Sequence, residues 1–155
     1  MNQIEEGQIK VSRTFDAPLE VLWKAWTAPE QFMQWYGPKG FTTPTCEIDL
    51  REGGRHLWSM QSPDGRRMYF TGNYKEVRPM TRLVFTDSMS DAKGNVISPE
   101  MMGMPKGSPV TMDVTVIFEY AAGKTTVTVS HVGQGDAGTG WKQAFDKLAD
   151  MLVRA

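Results

Sequence analysis

The chain has 155 residues, and its 17 basic and 18 acidic side chains give a net charge of −1. This length suits a single domain over residues 1–155, and the balanced charge argues against electrostatic capture of nucleic acid or an anionic membrane. The start of the chain has no signal-peptide pattern, no apolar run approaches the ~18 residues of a membrane span, and the single Cys46 excludes an internal disulfide. We therefore expect a cytoplasmic protein with no membrane span.

Apolar and polar residues alternate from Ile9 to Phe15, which predicts the first strand. Asp16 and Pro18 then predict the start of a helix, with Asp16 as the N-cap and Pro18 in the first turn. Thr27 and Glu30 repeat that signal as a capping box. Two short helices are therefore expected directly after the first strand.

Six further segments have the period-two pattern of strands and are separated by turn residues. They lie around residues 45–50, 56–60, 67–77, 83–85, 110–120 and 127–131. Residues 88–109 break this rhythm and are rich in Gly, Pro, Ser and Met. Such a loop could be a lid over a cavity, a contact between subunits or a mobile hairpin tip.

A stripe of apolar residues at helical spacing ends the chain, from Trp141 through Phe145 and Leu148 to Leu152. The order of elements predicts an α+β fold with a meandering antiparallel sheet. One helix cannot cover a broad curved sheet completely, so we expect an apolar cavity between the helix and the sheet.

The inward-facing side chains are the candidate ligand-binding residues. They are Trp35, His56, Trp58, Met60, Phe70, Tyr74, Phe85, Met112, Val114, His131, Trp141 and Phe145. Aromatic walls with a few polar tips suit a small hydrophobic molecule, such as a lipid, a polyketide or an aromatic metabolite. Two interpretations of His131 stay open: a polar contact or general base for the ligand, and a core histidine bonded to backbone or water.

The sequence assigns no catalytic residue, no metal site and no cofactor. His56 and His131 fall at opposite ends of the predicted sheet, which argues against a shared metal. Cys46 shares a face with Ile48 and Leu50, so burial should raise its pKa and leave a poor nucleophile. The G-x-G-x-x-G pattern at 133–138 follows an antiparallel strand rather than opening a βαβ unit, which argues against a dinucleotide.

Five short motifs occur in order along the chain. They are Trp35-Tyr-Gly-Pro38, Asp49-Leu-Arg-Glu-Gly-Gly54, Pro63-Asp-Gly65, Gly72-Asn-Tyr-Lys-Glu76 and Gly140-Trp141. Together they resemble the signature of proteins similar to the activator of the heat-shock-protein-90 ATPase, within the SRPBCC (START and polyketide-cyclase) superfamily. The resemblance covers about residues 9–152 and implies a Bet v 1-like helix-grip fold. In that fold a curved seven-stranded antiparallel sheet surrounds a long C-terminal helix, with a ligand cavity between them.

Three functions remain open after this comparison. We favour binding of a small hydrophobic molecule by a protein that is not an enzyme. The first alternative is a cyclase- or hydrolase-type enzyme that uses the same cavity. The second is a chaperone-associated regulatory module, for which the family's name is the support. The edge strands or the 88–109 loop could also pair two copies of the chain in a homodimer.

Overall fold

The computed structural model describes residues 8–103, 110–132 and 137–154. In chain order the elements are β1 (Gln8–Phe15), α1 (Leu19–Thr27), α2 (Pro29–Trp35), β2 (Cys46–Ile48), β3 (Arg55–Gln61), β4 (Arg67–Arg78), β5 (Arg82–Ser90), a short 3₁₀ helix (Pro99–Met102), β6 (Thr111–Ala121), β7 (Lys124–Val132) and α3 (Ala137–Arg154). The strands form one curved antiparallel sheet in the order β1-β7-β6-β5-β4-β3-β2. This arrangement confirms the predicted α+β helix-grip fold with a seven-stranded sheet and a long C-terminal helix.

The core lies on the concave face of the sheet, against the three helices. In β6 the alternating residues Val114, Val116 and Phe118 are buried, and Val127 and Val129 continue the same face in β7. Burial of each such side chain contributes about 1.5–3 kcal/mol. Period-two alternation therefore places the apolar residues where the prediction put them.

The helices begin differently from the prediction. Pro18 occupies the N-cap position of α1, and no side chain there makes a capping hydrogen bond, so the expected Asp16 cap is wrong. Ala28 precedes α2 and Pro29 opens it, whereas the Thr27 hydroxyl donates to the carbonyl of Trp23 in the preceding helix. Proline stereochemistry, rather than a side-chain cap, therefore sets both starts. Among the helices of the described ranges, none is long and apolar enough to cross a membrane.

The predicted 88–109 loop begins later than expected. Strand β5 continues to Ser90, and the chain then forms a turn and the 3₁₀ helix at Pro99–Met102. Residues 104–109 lie outside the described residues, and so do 133–136, which hold most of the G-x-G-x-x-G pattern. Gly138, its last glycine, belongs to α3.

Candidate ligand-binding site

The ladder between β4 and β5 is irregular at the centre of the sheet. Gly72 approaches β5 so closely that a Cβ added to it would lie 1.8 Å from the carbonyl oxygen of Thr86. The Asn73 N–H donates to the hydroxyl of Thr86, at 2.9 Å, rather than to a backbone carbonyl. A bulge follows between Tyr74 and Glu76. Irregularities of this kind redirect side chains and are frequent beside functional sites.

His56 uses this irregularity to reach across a strand. It pairs with Gly72 in the β3–β4 register, and its Nε2 lies 2.8 Å from the carbonyl oxygen of Thr86 on β5. A carbonyl can only accept, so Nε2 carries the proton and Nδ1 is left as an acceptor. Burial lowers the pKa of His56 to about 4, against the opposing effect of the Thr86 bond, so the ring is neutral near pH 7.

The Nδ1 atom of His56 is buried and has no hydrogen-bond partner in the part of the chain that the structure describes. It is therefore a hydrogen-bond acceptor in the core that receives no donor from the described residues.

Asp87 is the second polar group at this place, and the sequence analysis missed it. It continues the alternation of Leu83 and Phe85 on β5, and its side chain is 7% exposed. One carboxyl oxygen, Oδ1, lies 3.8 Å from Nε2 of His56, without a hydrogen bond to any described residue. Burial raises the pKa of Asp87 to about 8, so the carboxyl group is protonated at neutral pH. The two side chains form a neutral polar pair rather than an ion pair.

Aromatic rings surround this pair. His56 stacks on Trp58 with ring centroids 3.8 Å apart, and Phe85 meets both rings edge-on. Tyr74 contacts His56 and Phe85. We call His56, Trp58, Tyr74, Phe85 and Asp87 the concave-face cluster. The sequence placed four of these five on one face, and the structure brings all five together.

Helix α2 and the residue after it close the cluster on one side. Phe32 lies 4.6 Å from Trp58 and 4.4 Å from Tyr36, measured between ring centroids. Burial raises the pKa of Tyr36 well above its usual range, with the nearby Asp87 adding to the rise. The indole N–H of Trp58 is near enough to oppose that rise but meets no hydrogen-bond geometry.

Lys147 of α3 fixes the segment that follows α2. Its ammonium group donates to the carbonyls of Tyr36, Pro38 and Phe41, at 3.4, 3.3 and 3.0 Å. Partial burial lowers its pKa. The contacts hold the Tyr36 ring between α3 and the concave-face cluster.

His131 and Trp141 lie farther along the concave face. Trp141 donates its indole N–H to Nε2 of His131 at 2.7 Å, and Nδ1 of His131 lies 2.7 Å from the carbonyl oxygen of Val132. Both ring nitrogens of His131 are thus used within the protein, which supports the core-histidine interpretation.

The rings of Trp26, Tyr36 and Phe145 pack around Trp141 at centroid distances of 5.8, 5.8 and 6.0 Å. Side chains therefore occupy the place where the sequence analysis expected open room for a ligand.

The remaining predicted site residues lie on the concave face of the sheet or on the helices α2 and α3 that pack against it. Trp35, Val114 and Phe145 are buried, and Met60, Phe70, Met112 and Trp141 are partly buried against the core. Their ligand-binding role stays a prediction. Two concave regions are also present, and His56 of the concave-face cluster lines the second. One, of about 320 Å³, is lined by Pro18, Leu19, Glu20, Met80 and Tyr120, and the other, of about 490 Å³, by Glu47, Ile48, Asp49, Arg55, His56, Leu57, Ala92 and Lys93.

Cys46 is a poor nucleophile in the folded protein. Burial raises the pKa of Cys46 to about 12, with Glu47 adding to the effect, as the sequence analysis expected in direction. Within the described ranges, no group of three or more His, Cys, Asp or Glu side chains could hold a metal ion.

A curved antiparallel sheet that grips a C-terminal helix, with its polar groups on the concave face, defines a helix-grip domain of the SRPBCC class. The family described as Activator of Hsp90 ATPase homolog 1-like protein matches residues 16–153. The chain belongs to this family.

Solved structures share the fold over nearly the whole chain. A protein from Nitrosomonas europaea is 22% identical, with a TM-score of 0.79 over 98% of this chain and 97% of that one. A protein from Chromobacterium violaceum is 25% identical, with a TM-score of 0.72 over 94% and 96%. A solution structure from Staphylococcus epidermidis is 24% identical, with a TM-score of 0.76 over 98% and 93%. No curated protein matches significantly. These similarities establish the fold.

Proposed function

We propose that the protein binds a small, largely apolar molecule on the concave face of the sheet, between the concave-face cluster and the helices α2 and α3. One observation carries the proposal. His56 Nδ1, Trp58 Nε1, Trp26 Nε1 and Asp87 Oδ1 are buried among aromatic rings and have no hydrogen-bond partner in the described residues. An unpaired buried polar atom costs about 1–3 kcal/mol, and three of these four atoms belong to side chains of the concave-face cluster, which is typical of a site that receives an external partner.

The apolar part of such a ligand would supply most of the binding free energy. Burial of roughly 200 Å² of apolar area contributes about 5 kcal/mol before the cost of association. A flat ring system suits the walls, because aromatic pairs gain about 0.5–1.5 kcal/mol beyond their buried area. The polar tips would fix the orientation of the ligand.

Trp141 is the side chain that must move to admit the ligand. It is only partly buried, and it is held by the hydrogen bond to His131 and by ring contacts with Trp26, Tyr36 and Phe145. Breaking the hydrogen bond and the three ring contacts costs about 2–6 kcal/mol, which is of the same size as the apolar gain. Movement of Trp141 also frees the faces of Trp26 and Tyr36 that it covers.

Calorimetric titration with flat hydrophobic probes, together with native mass spectrometry for a co-purified molecule, tests the proposal. We expect saturable binding of one probe per chain. A Trp141→Ala variant should bind the same probe at least about tenfold more tightly, because the cost of displacing the ring is removed. Tyr120→Phe, at an exposed position, is the matched control and should bind like the wild type. Absence of binding by both the wild type and a folded Trp141→Ala variant would refute the proposal.

The pair of Asp87 and His56 favours a second candidate, a cyclase-type enzyme. A protonated carboxyl group 3.8 Å from a neutral imidazole can act as a general acid on a substrate held in a folded conformation. Turnover by the pure protein that is lost in Asp87→Asn, with binding retained, would support this candidate. Binding without turnover in the wild type leaves the carrier function.

A further inference from the structure

We propose that the concave-face cluster selects an uncharged ligand group that carries a hydrogen-bond acceptor beside a donor, such as an amide or a hydroxyketone. Asp87 and Trp58 would donate to the ligand's acceptor, and His56 would accept from its donor. The inference rests on the proposed function, and it adds the chemical class of the ligand's polar end.

Two of the three polar groups have a direction that the protein fixes. The Thr86 carbonyl can only accept, so it holds the proton of His56 on Nε2 and leaves Nδ1 as an acceptor. The indole nitrogen of Trp58 can only donate. Both atoms are fully buried and unpaired among the described residues. A complementary group would present a donor to His56 and an acceptor to Trp58, whose N–H also lies near the Tyr36 hydroxyl.

The third group, Asp87, is uncharged in its surroundings. Its ion-pair contact within the described residues is with His56 alone, and that ring is neutral near pH 7. The cation on the adjoining helix, Lys147, donates instead to three backbone carbonyls. The Arg55 guanidinium, whose charge acts on His56, already donates to the Thr71 hydroxyl and to the carbonyls of Lys93 and Gly94. An anionic ligand would have to compete with these bonds, and a cationic ligand would have to ionise a buried acid. An uncharged group fits without either cost.

The titratable groups around Asp87 and His56 leave a pH range in which Asp87 can be tested by itself. His56 on β3 has its pKa lowered to about 4. Burial raises the pKa of Tyr36, after α2, and of Tyr74 on β4, and it raises that of Cys46 on β2 to about 12. Between pH 7 and pH 9 the group of this set that changes charge is Asp87, whose pKa is about 8.

Ionisation of Asp87 reverses its role in binding. The protonated carboxyl group donates to a ligand carbonyl, whereas the carboxylate repels it. Because binding then requires uptake of one proton, affinity should fall about tenfold per pH unit above the pKa. Asp87→Asn keeps an N–H donor at this position without a titrating proton, so its affinity should not change over the same range.

Four probes that share the naphthalene ring distinguish an apolar, an uncharged polar, an anionic and a cationic ligand group. Naphthalene has no polar group, 2-naphthamide has an acceptor beside a donor, 2-naphthoate is anionic and 2-(aminomethyl)naphthalene is cationic. Each would be titrated by calorimetry at pH 7 and pH 9 into the wild type, Asp87→Asn and Asp113→Asn. Asp113 on β6 is an exposed acid paired with Lys75 on β4, across the intervening strand β5, which makes it the matched control.

We expect 2-naphthamide to bind at least about tenfold more tightly than the other three probes at pH 7. From pH 7 to pH 9 its affinity should fall about tenfold in the wild type and in Asp113→Asn and stay constant in Asp87→Asn. The inference would be overturned, with a hydrophobic site remaining, by any of three results. The amine or the naphthoate could bind most tightly, naphthalene and the amide could bind equally, or the pH dependence of the affinity could persist in Asp87→Asn. Failure of all four probes, naphthalene included, would overturn the proposed function as well.

Discussion

The Asp87→Asn substitution should make the protein more stable at neutral and alkaline pH. The folded protein holds the carboxyl proton with a pKa of about 8, whereas the unfolded chain has the ordinary value of 3.8. Between these values the folded state binds more protons than the unfolded state, so the free energy of unfolding decreases as the pH rises. Asparagine removes this dependence and leaves a polar side chain of nearly the same shape.

The magnitude follows from the two pKa values. Each unit of difference is 1.36 kcal/mol, so the wild type loses about 4 kcal/mol of stability between pH 3.8 and pH 7, and about 6 kcal/mol by pH 8 and above. His56 has the opposite effect, since its lowered pKa removes stability as the pH falls from about 6.5 toward 4. That contribution is present in both proteins, so it cancels when the variant is compared with the wild type.

Urea unfolding followed by circular dichroism at about pH 4.5, 6, 7 and 8.5 measures this difference. The stability advantage of Asp87→Asn should grow by about 4–6 kcal/mol from the lowest pH to the highest. Asp113→Asn, at the exposed pair with Lys75, should differ from the wild type by less than about 1 kcal/mol throughout. Parallel stability curves for Asp87→Asn and the wild type would show that Asp87 is ionised in the folded protein, and the reasoning about the site would then fail.

Three further outcomes can be checked. Gly72→Ala places a Cβ 1.8 Å from the carbonyl oxygen of Thr86 and should lower the free energy of thermal unfolding by more than about 3 kcal/mol. Gly53→Ala has open space around its Cβ but a φ of +85°, so it should lower that free energy by about 1–2 kcal/mol. Equal losses in the two variants would contradict the close approach of β4 to β5. Cys46, with its pKa raised to about 12, should react with iodoacetamide at pH 8 at least about 100-fold more slowly in the folded protein than in urea, and equal rates would count against its burial. Trp35→Phe leaves the buried carbonyl of Ala25 without its 2.9 Å indole hydrogen bond and should lower the urea unfolding free energy by about 1–3 kcal/mol; an unchanged midpoint would argue against that bond.

Periodicity was sufficient to predict the sheet, because the buried face of each strand repeats every second residue. The same rule applied to β5 would have found Asp87, two positions after Phe85, on the inner face. A carboxylate at that position is ordinarily assigned to solvent, since burial of its charge is costly. Its protonation is what makes burial tolerable, and that depends on surroundings which only the folded chain provides.

Whether the space between sheet and helices is open or filled could not be predicted from the sequence either. Aromatic side chains that face inward can line an open cavity or fill it, and their spacing along the chain is the same in both cases. Contacts of Trp141 with Trp26 and Tyr36 decide the matter, and they join residues more than 100 positions apart. The reach of His56 across Gly72 to the Thr86 carbonyl is likewise a property of strand register.

The nearly parallel arrangement of Trp26 and Trp141 has an optical consequence. Their indole rings lie 5.8 Å apart with an interplanar angle of 25°, close enough for their excited states to couple. Coupled indoles produce paired bands of opposite sign in circular dichroism, and the intensity depends steeply on separation and angle. The chain therefore carries an intrinsic chromophore pair, whose spectrum records any displacement of the Trp141 ring without an added label.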